Sequence, residues 1–247
     1  MNIAVLLKQV PDLVEDLEIA GDGKSLDPDA VKWKLNEFDD HALEEALLLK
    51  EKGGATVTVL AFDGEEADRI LFTALAKGAD RALKIGGADG AGGNVQAARL
   101  FASVLRDRPA DLVLTGVQAA DDRDGQLGPM VAAVLGLPSI EVVTGIALAD
   151  QKATLHKEYA GGVMAEFEVD LPAVLGVQAA RQPPRYAPVS KVRQVQQSAK
   201  IEAVSASAAA GAGLQVVQMT APETGKGAQM LEGVEELLAV LQSKGAL

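Results

Sequence analysis

Short apolar runs alternate with amphipathic stretches from the first residues of the chain. Residues 3–7 read as a strand, residues 40–52 as a helix with Ala42, Leu43, Ala46 and Leu47 on one face, and residues 56–61 as the next strand. Residues 65–77 then predict a helix, 81–85 a strand, 94–106 a helix and 111–115 a strand. A helix over 127–135 and a strand over 140–143 close the series. This order predicts an α/β fold with a doubly wound, mainly parallel sheet and right-handed crossovers.

Two stretches break the alternation. Residues 11–38 are long for a strand-to-helix loop, and Leu17-Glu18-Ile19 followed by Gly21-Asp22-Gly23 predicts a small hairpin inside them. Residues 146–175 hold three runs, 147–148, 153–156 and 163–169, that read as antiparallel strands around Gly161-Gly162, a small antiparallel addition to the sheet. After Val177 the composition changes. Residues 181–200 carry Arg181, Arg185, Lys191, Arg193 and Lys200 with no acid, and Pro183, Pro184 and Pro188. A low-complexity stretch at 203–213 follows, then a helical pattern of Met230, Leu231, Val234, Leu237, Leu238 and Leu241. The expected division is an α/β nucleotide-binding domain over residues 1–180 and an extended C-terminal arm over 181–247. The arm's docking loop, linker and apolar-faced helix suit a segment that lies on another protein.

Composition narrows the function classes. The 247 residues hold 23 basic and 35 acidic side chains, a net charge of −12, the wrong sign for a protein that displaces counterions from a polyanion. With no Cys, disulfides, iron–sulfur clusters and thiolate zinc sites are excluded, and the two His, His41 and His156, are too few for most imidazole metal sites, so no metal is expected. The start of the chain lacks a basic flank with a cleavage site, and no run approaches ~18 apolar residues, which leads to the expectation of a cytoplasmic protein. Aromatics are 3% of the chain, so the core must come from Ala, Val, Leu and Ile, as in a parallel sheet covered by helices.

Candidate chemistry concentrates at predicted strand ends. No Cys–His pair or recognisable triad context supports nucleophilic catalysis. His41 stands among Asp39, Asp40, Glu44 and Glu45, which reads most simply as the solvated first turn of a helix, where acids suit the positive dipole end. The run from Thr115 to Met130 follows a strand and opens a helix, the place where doubly wound sheets bind ligands. Gly125 and Gly128 free backbone N–H groups there for phosphate oxygens. Its acids Asp121, Asp122 and Asp124 would repel a phosphate they faced, and suit helix capping, ribose hydroxyls or pairing with Arg123. A capped helix without a ligand is the alternative, since neither GxxxxGK[ST] nor GxGxxG is matched. The turns Ala61-Phe62-Asp63-Gly64 and Asn36-Glu37-Phe38-Asp39 fall at the same sheet edge and favour a nucleotide.

These residues also carry a family likeness. Val5-Leu6-Leu7-Lys8-Gln9-Val10, Leu35-Asn36-Glu37-Phe38-Asp39 leading into Ala42-Leu43-Glu44-Glu45-Ala46, and Thr73-Ala74-Leu75-Ala76-Lys77-Gly78-Ala79-Asp80-Arg81 are its first landmarks. Gly116-Val117-Gln118-Ala119-Ala120-Asp121-Asp122, Gly161-Gly162, Leu171-Pro172-Ala173-Val174 and Pro184-Arg185-Tyr186-Ala187 continue it. In order and spacing the chain resembles the β (small) subunits of electron transfer flavoproteins, from Met1 to about Ser190.

The resemblance implies a Rossmann-like fold of the adenine-nucleotide-binding type and a heterodimer with a large (α) subunit that holds most of the FAD. This subunit would hold AMP, complete the flavin environment and act as an electron carrier, not an enzyme. By position, the AMP site would comprise Leu6, Asn36, Glu37, Phe38, Asp39, Asp63 and the loop Asp121, Asp122, Arg123, Asp124, Gly125, Gln126, Leu127, Gly128, Pro129, Met130, Val131 and Ala132. Leu13 and Phe38 match flavin-facing positions, and Glu158 matches an acid that contacts the mobile flavin domain. Tyr186, Ala187, Pro188, Val189 and Ser190 match the loop that docks flavin dehydrogenases of the acyl-CoA dehydrogenase type, whose electrons pass to a quinone oxidoreductase as in fatty acid oxidation. Two alternatives remain open at this point. Electron-bifurcating relatives place a second FAD in the AMP site; Asp122 argues against it, while Gly125 and Gln126-Leu127-Gly128-Pro129 resemble that pattern. The other is an autonomous adenine-nucleotide-binding α/β protein, which would not need the basic arm or the terminal helix.

Overall fold

Every second residue of the first strand turns to the same side, and that alternation sets the two layers of the molecule. A computed structural model describes residues 1–86, 93–207, 215–222 and 227–247. In β1 (Asn2–Leu7), Ile3, Val5 and Leu7 enter a core with α1 (Glu37–Gly53) and α2 (Ala67–Lys77). Ala4 and Leu6 enter a second core on the opposite face, with α3 (Gly93–Asp107) and α4 (Leu127–Leu135). Both cores are mainly aliphatic, as the scarcity of aromatics requires; in the second, Phe62 and Phe101 form a tilted pair at 4.3 Å.

The main sheet also contains β4 (Thr56–Phe62), β5 (Arg81–Gly86), β6 (Leu112–Gly116), β7 (Ser139–Ala149), β8 (Lys152–Tyr159), β9 (Val163–Asp170), β10 (Ala173–Val177) and β11 (Glu202–Ser205). Its spatial order is β11-β5-β4-β1-β6-β10-β7-β8-β9. The pairs from β11 to β7 are parallel, and the β7–β8 and β8–β9 pairs are antiparallel. From β1 the chain builds outward through β4 to β5 and then returns to place β6 on the other side of β1, so the topological switch lies between β1 and β6. The doubly wound α/β expectation, with its antiparallel addition, is the architecture found.

Several elements differ from the sequence reading. Residues 173–177, left at the end of the antiparallel excursion, form β10, a fully buried parallel strand between β6 and β7. A five-residue apolar run carries no period that reveals its neighbours. The strand expected at 140–143 runs on to Ala149, because its second half pairs with β8. The helix expected at 40–52 begins at Glu37, with Asn36 as the residue before it and Glu37, Asp39 and Asp40 in its first turn. The long 11–38 segment contains the small hairpin as an Ile19–Leu26 bridge, and its roots close as a second, two-stranded antiparallel sheet of β2 (Gln9–Pro11) and β3 (Trp33–Leu35).

Beyond Val177 the chain returns to the body. Part of the basic stretch is α5 (Val189–Ser198), packed against α2, and part of the expected low-complexity stretch is β11, paired in parallel with β5. Residues 208–213 of that stretch lie outside the described residues. The predicted terminal helix is α6 (Val234–Ser243); none of its residues is buried, and Val234, Leu237 and Leu238 are exposed.

Candidate functional site

At the carboxyl edge of the parallel strands, on either side of the switch point, the chain makes a shallow cleft that opens to solvent. Its wall is built from Lys8 after β1, Asn36 and Asp39 at the start of α1, Gly116 at the end of β6 with Val117 to Ala119 after it, and Asp122 and Asp124 to Leu127 leading into α4. Asn94, in the first turn of α3, closes one side.

Asp39 organises this edge. One carboxylate oxygen accepts the Lys8 N–H at 2.8 Å and the other accepts the Gly116 N–H at 2.8 Å, so a single buried side chain ties the ends of β1 and β6 to α1. Burial pushes the Asp39 carboxyl up to about 7, against the Lys8 and Gly116 N–H donors, Asn36 and the Lys8 charge, which pull it down. Beside it, buried Asn36 donates from Nδ2 to the Gln118 carbonyl at 2.9 Å and holds the post-β6 loop. Gly116 is required here: a Cβ would stand 2.4 Å from Asp39 Oδ1 and 2.7 Å from the Phe38 carbonyl carbon.

The loop before α4 is a chain of short carboxylate contacts. Asp122 accepts the Asp124 N–H at 3.3 Å and Asp124 accepts the Gln126 N–H at 3.1 Å, while Arg123 and Gly125 take positive φ values of 54° and 64°. Lys8 Nζ lies 2.8 Å from both Asp121 and Asp122. Burial opposes the Lys8 charge, but the hydrogen bonds and fields of these two carboxylates outweigh it and raise the Lys8 pKa. Burial likewise opposes the Asp122 charge, and Lys8 and Asn94 outweigh it and lower the Asp122 pKa. Asn94 donates to Asp122 at 3.0 Å and to Asp124 at 2.6 Å. Gln126 and Leu127, at the amino end of α4, form this side of the cleft; the first N–H groups of a helix have no acceptor within it.

Of the residues expected at a nucleotide site, Asn36, Asp39, Asp122, Asp124, Gly125, Gln126 and Leu127 meet at the cleft. Leu6, Val131 and Ala132 lie in the core beneath it. Gly128 is buried at the first turn of α4 with Pro129 and Met130 behind it, and Asp121 is held at the rim by Lys8. Arg123 and Glu37 are exposed, Glu37 beside Lys34 at 3.2 Å, and Asp63 sits at the end of β4 beside Lys84 at 3.3 Å. Sequence reasoning missed Lys8 and Asn94. Lys8 directly follows a predicted strand, and Asn94 opens the helix predicted at 94–106; both positions face the edge where such sheets bind ligands, and that was the available signal.

The acids around His41 are not a solvated turn. Glu44 and Glu45 are buried and grip the root of the arm: Arg185 Nε reaches Glu44 at 2.9 Å and Arg181 Nε reaches Glu45 at 2.9 Å. Arg185 Nη1 also reaches Glu51 at 2.5 Å, and His41 Nδ1 accepts the Ala180 N–H at 3.2 Å. Sequence reading assigned these acids to solvent because their partners lie about 140 residues away, as Glu44 and Arg185 do, separated by 141. Just past this clamp, Tyr186 and Val189 are 79% and 59% exposed, Ala187 is buried, and Pro188 directly precedes α5, whose first turn holds Val189 and Ser190. Leu13 is 57% exposed beside exposed Val14, and Phe38 is half-buried at the cleft end of α1. Glu158 is exposed on β8 opposite Met164 of β9. Among the described residues no group of His, Asp and Glu forms a metal site, and no helix is long and apolar enough to cross a membrane.

Comparison with known proteins gives the family context. The electron transfer flavoprotein domain matches residues 25–209. The chain is 35% identical to the electron transfer flavoprotein subunit beta of Methylophilus methylotrophus, across 98% of this chain and 97% of that protein. It is 34% identical to the subunit beta of Syntrophomonas wolfei, across 97% and 94%. The mitochondrial subunit beta of Oryza sativa subsp. indica is 32% identical, across 99% and 98%.

Proposed function

Because the chain belongs to the electron transfer flavoprotein family as a beta subunit, we propose that its cleft holds AMP while the flavin that carries the electrons is bound mainly by the alpha subunit. The carrying observation is the convergence of Asp39, Asn36 and the α4 amino end on one cleft at the switch between β1 and β6. The first N–H groups of α4 would take the phosphate, and Asn36 and the loop carboxylates would take ribose and base donors. Gly116 leaves the floor open, and Lys8 keeps two of the three loop acids turned to itself. Among the described residues of this wall Lys8 is the one cation, which suits a monophosphate better than a pyrophosphate and supports AMP over a second FAD.

FAD supplies the redox chemistry when bound, accepting and releasing electrons at its ring system. This chain supplies position. Exposed Leu13 and the Phe38 ring would pack on the flavin's edge, and Glu158 would receive the flavin-bearing domain. The exposed apolar face of α6 would lie on the alpha subunit. Tyr186, Ala187, Pro188, Val189 and Ser190 would dock a flavin dehydrogenase of the acyl-CoA dehydrogenase type, with a quinone oxidoreductase as acceptor. A small apolar anchor on a polar rim suits an interface that must release after each transfer.

Co-expression with the alpha subunit tests this reading. A yellow heterodimer is expected, with little flavin on the chain purified alone; stoichiometric FAD on the isolated chain would contradict it.

A further inference from the structure

Beside the first turn of α4, outside the lining of the open cleft, stands a second, partly buried acid. Glu141, on β7, directs its carboxyl between Gly128 of α4 and Gly176 of β10. A Cβ on Gly128 would stand 2.8 Å from Glu141 Oε1, and one on Gly176 would stand 1.5 Å from Glu141 Oε2. Both glycines therefore make the room the carboxyl occupies. Ser139 Oγ donates to Glu141 Oε1 at 2.8 Å, while Oε2 is buried without a hydrogen-bond partner. The Thr115 hydroxyl, which a Cβ on Gly128 would meet at 3.0 Å, is likewise buried and unpartnered.

The backbone is distorted where this acid is placed. Glu141 pairs with Gly176 and Val143 with Val177, so Val142 is an extra residue in β7. Val142 has φ 67°, a conformation that a β-branched residue adopts only where its surroundings impose it. A strained bulge, two glycines and two unpartnered oxygens thus converge on one carboxyl beside the positive end of a helix.

We propose that Glu141 is a proton-linked positioning residue for the nucleotide: binding of a phosphate at the exposed side of the α4 amino end drives uptake of one solvent proton onto the Glu141 carboxyl beside it. The inference rests on the AMP reading of the cleft. An ionised Glu141 and a bound phosphate draw on the same helix end and repel each other. Protonation removes the repulsion and turns the unpartnered Oε2 from an acceptor into a donor. Around the carboxyl, β6 brings the neutral Thr115, β10 Gly176, α4 Gly128 and its own strand Ser139; the charged group acting on it is Lys157 of β8. Burial pushes the carboxyl up to about 7, while the Ser139 hydrogen bond and Lys157 pull it down, so the proton can be exchanged near neutrality.

The test is calorimetric titration of AMP into the nucleotide-depleted heterodimer between about pH 7 and 9, where the phosphate's own second ionisation, near 6, is complete. Wild-type affinity should fall with rising pH, by at most about tenfold per unit for one proton. Glu141→Gln should flatten that fall, leaving whatever Asp39 contributes. Ser139→Ala, which removes a donor to the ionised form, should move the fall to higher pH, a displacement that loss of packing alone does not produce. Adenosine, which lacks the phosphate, should show the same pH dependence in wild type and in Glu141→Gln. An AMP profile that is identical in wild type and Glu141→Gln would overturn the proposal while leaving the AMP site intact. Failure of AMP to bind at any pH would overturn both.

Discussion

Asp39 and Gly116 meet at the switch point of the sheet: Asp39 Oδ1 accepts the Gly116 N–H at 2.8 Å, joining the first turn of α1 to the last residue of β6. The contact exists because Gly116 has no side chain and because a buried acceptor meets a strand-end donor that the ladder leaves free. It fixes the floor of the cleft by a hydrogen bond between a helix and a strand rather than by a loop-to-loop contact.

Gly116→Ala should break this relationship. The new methyl group would stand 2.6 Å from Phe38 Cβ and 2.4 Å from Asp39 Oδ1, so α1 must shift. The expected cost is about 1–3 kcal/mol, read as a lower Tm, with nucleotide retention reduced at least tenfold. Unchanged retention would separate Asp39 from the binding site.

Arg185→Met should be more damaging than its exposed neighbours suggest. It leaves the Glu44 carboxylate, whose side chain is 3% exposed, without its cation, at a cost of about 3–5 kcal/mol in denaturant unfolding. Replacing both residues, Glu44→Leu with Arg185→Met, should recover most of that loss, because no buried charge remains.

Val189→Asp should act on electron delivery alone. Val189 opens α5 with its side chain exposed, so the change costs the fold little. Loss of an apolar anchor of about 2 kcal/mol should raise the KM for the carrier in a dehydrogenase-coupled assay by about thirtyfold, with flavin content unchanged. A normal KM would remove Val189 from the docking surface.

Stability should depend on pH through Glu141 with a defined sign. Its carboxyl ionises at about 7 in the folded chain and at 4.5 when unfolded, so between these values the unfolded state holds fewer protons. Stability contributed by the neutral acid is complete below about pH 4.5, declines as pH rises toward 7 and is absent above it. Glu141→Gln should therefore be more stable than wild type at pH 8, by up to about 3 kcal/mol, and close to it at pH 4. Urea unfolding at the two pH values measures the difference; an equal effect at both would show that the carboxyl does not titrate with folding.

The strand–helix alternation was legible because each element's burial is written in its own period: Ile3, Val5 and Leu7 face one core, and Ala4 and Leu6 the other. The three strand-end loops were legible too, since turn residues interrupt that period. Contacts between distant segments were not. Nothing local marks Glu44 and Glu45 as partners of an arm far along the chain, and nothing in Ala173–Val177 says that it enters the sheet between β6 and β7. Glu141 was hidden for a related reason: in sequence it is a polar residue in a strand, and only the approach of Gly128 and Gly176 encloses it.

The central claim is that this cleft holds AMP while the flavin belongs to the partner. Mass spectrometry of the small molecules released from the intact heterodimer tests it most directly. One AMP and one FAD per heterodimer is the predicted result; two FAD and no AMP would contradict it.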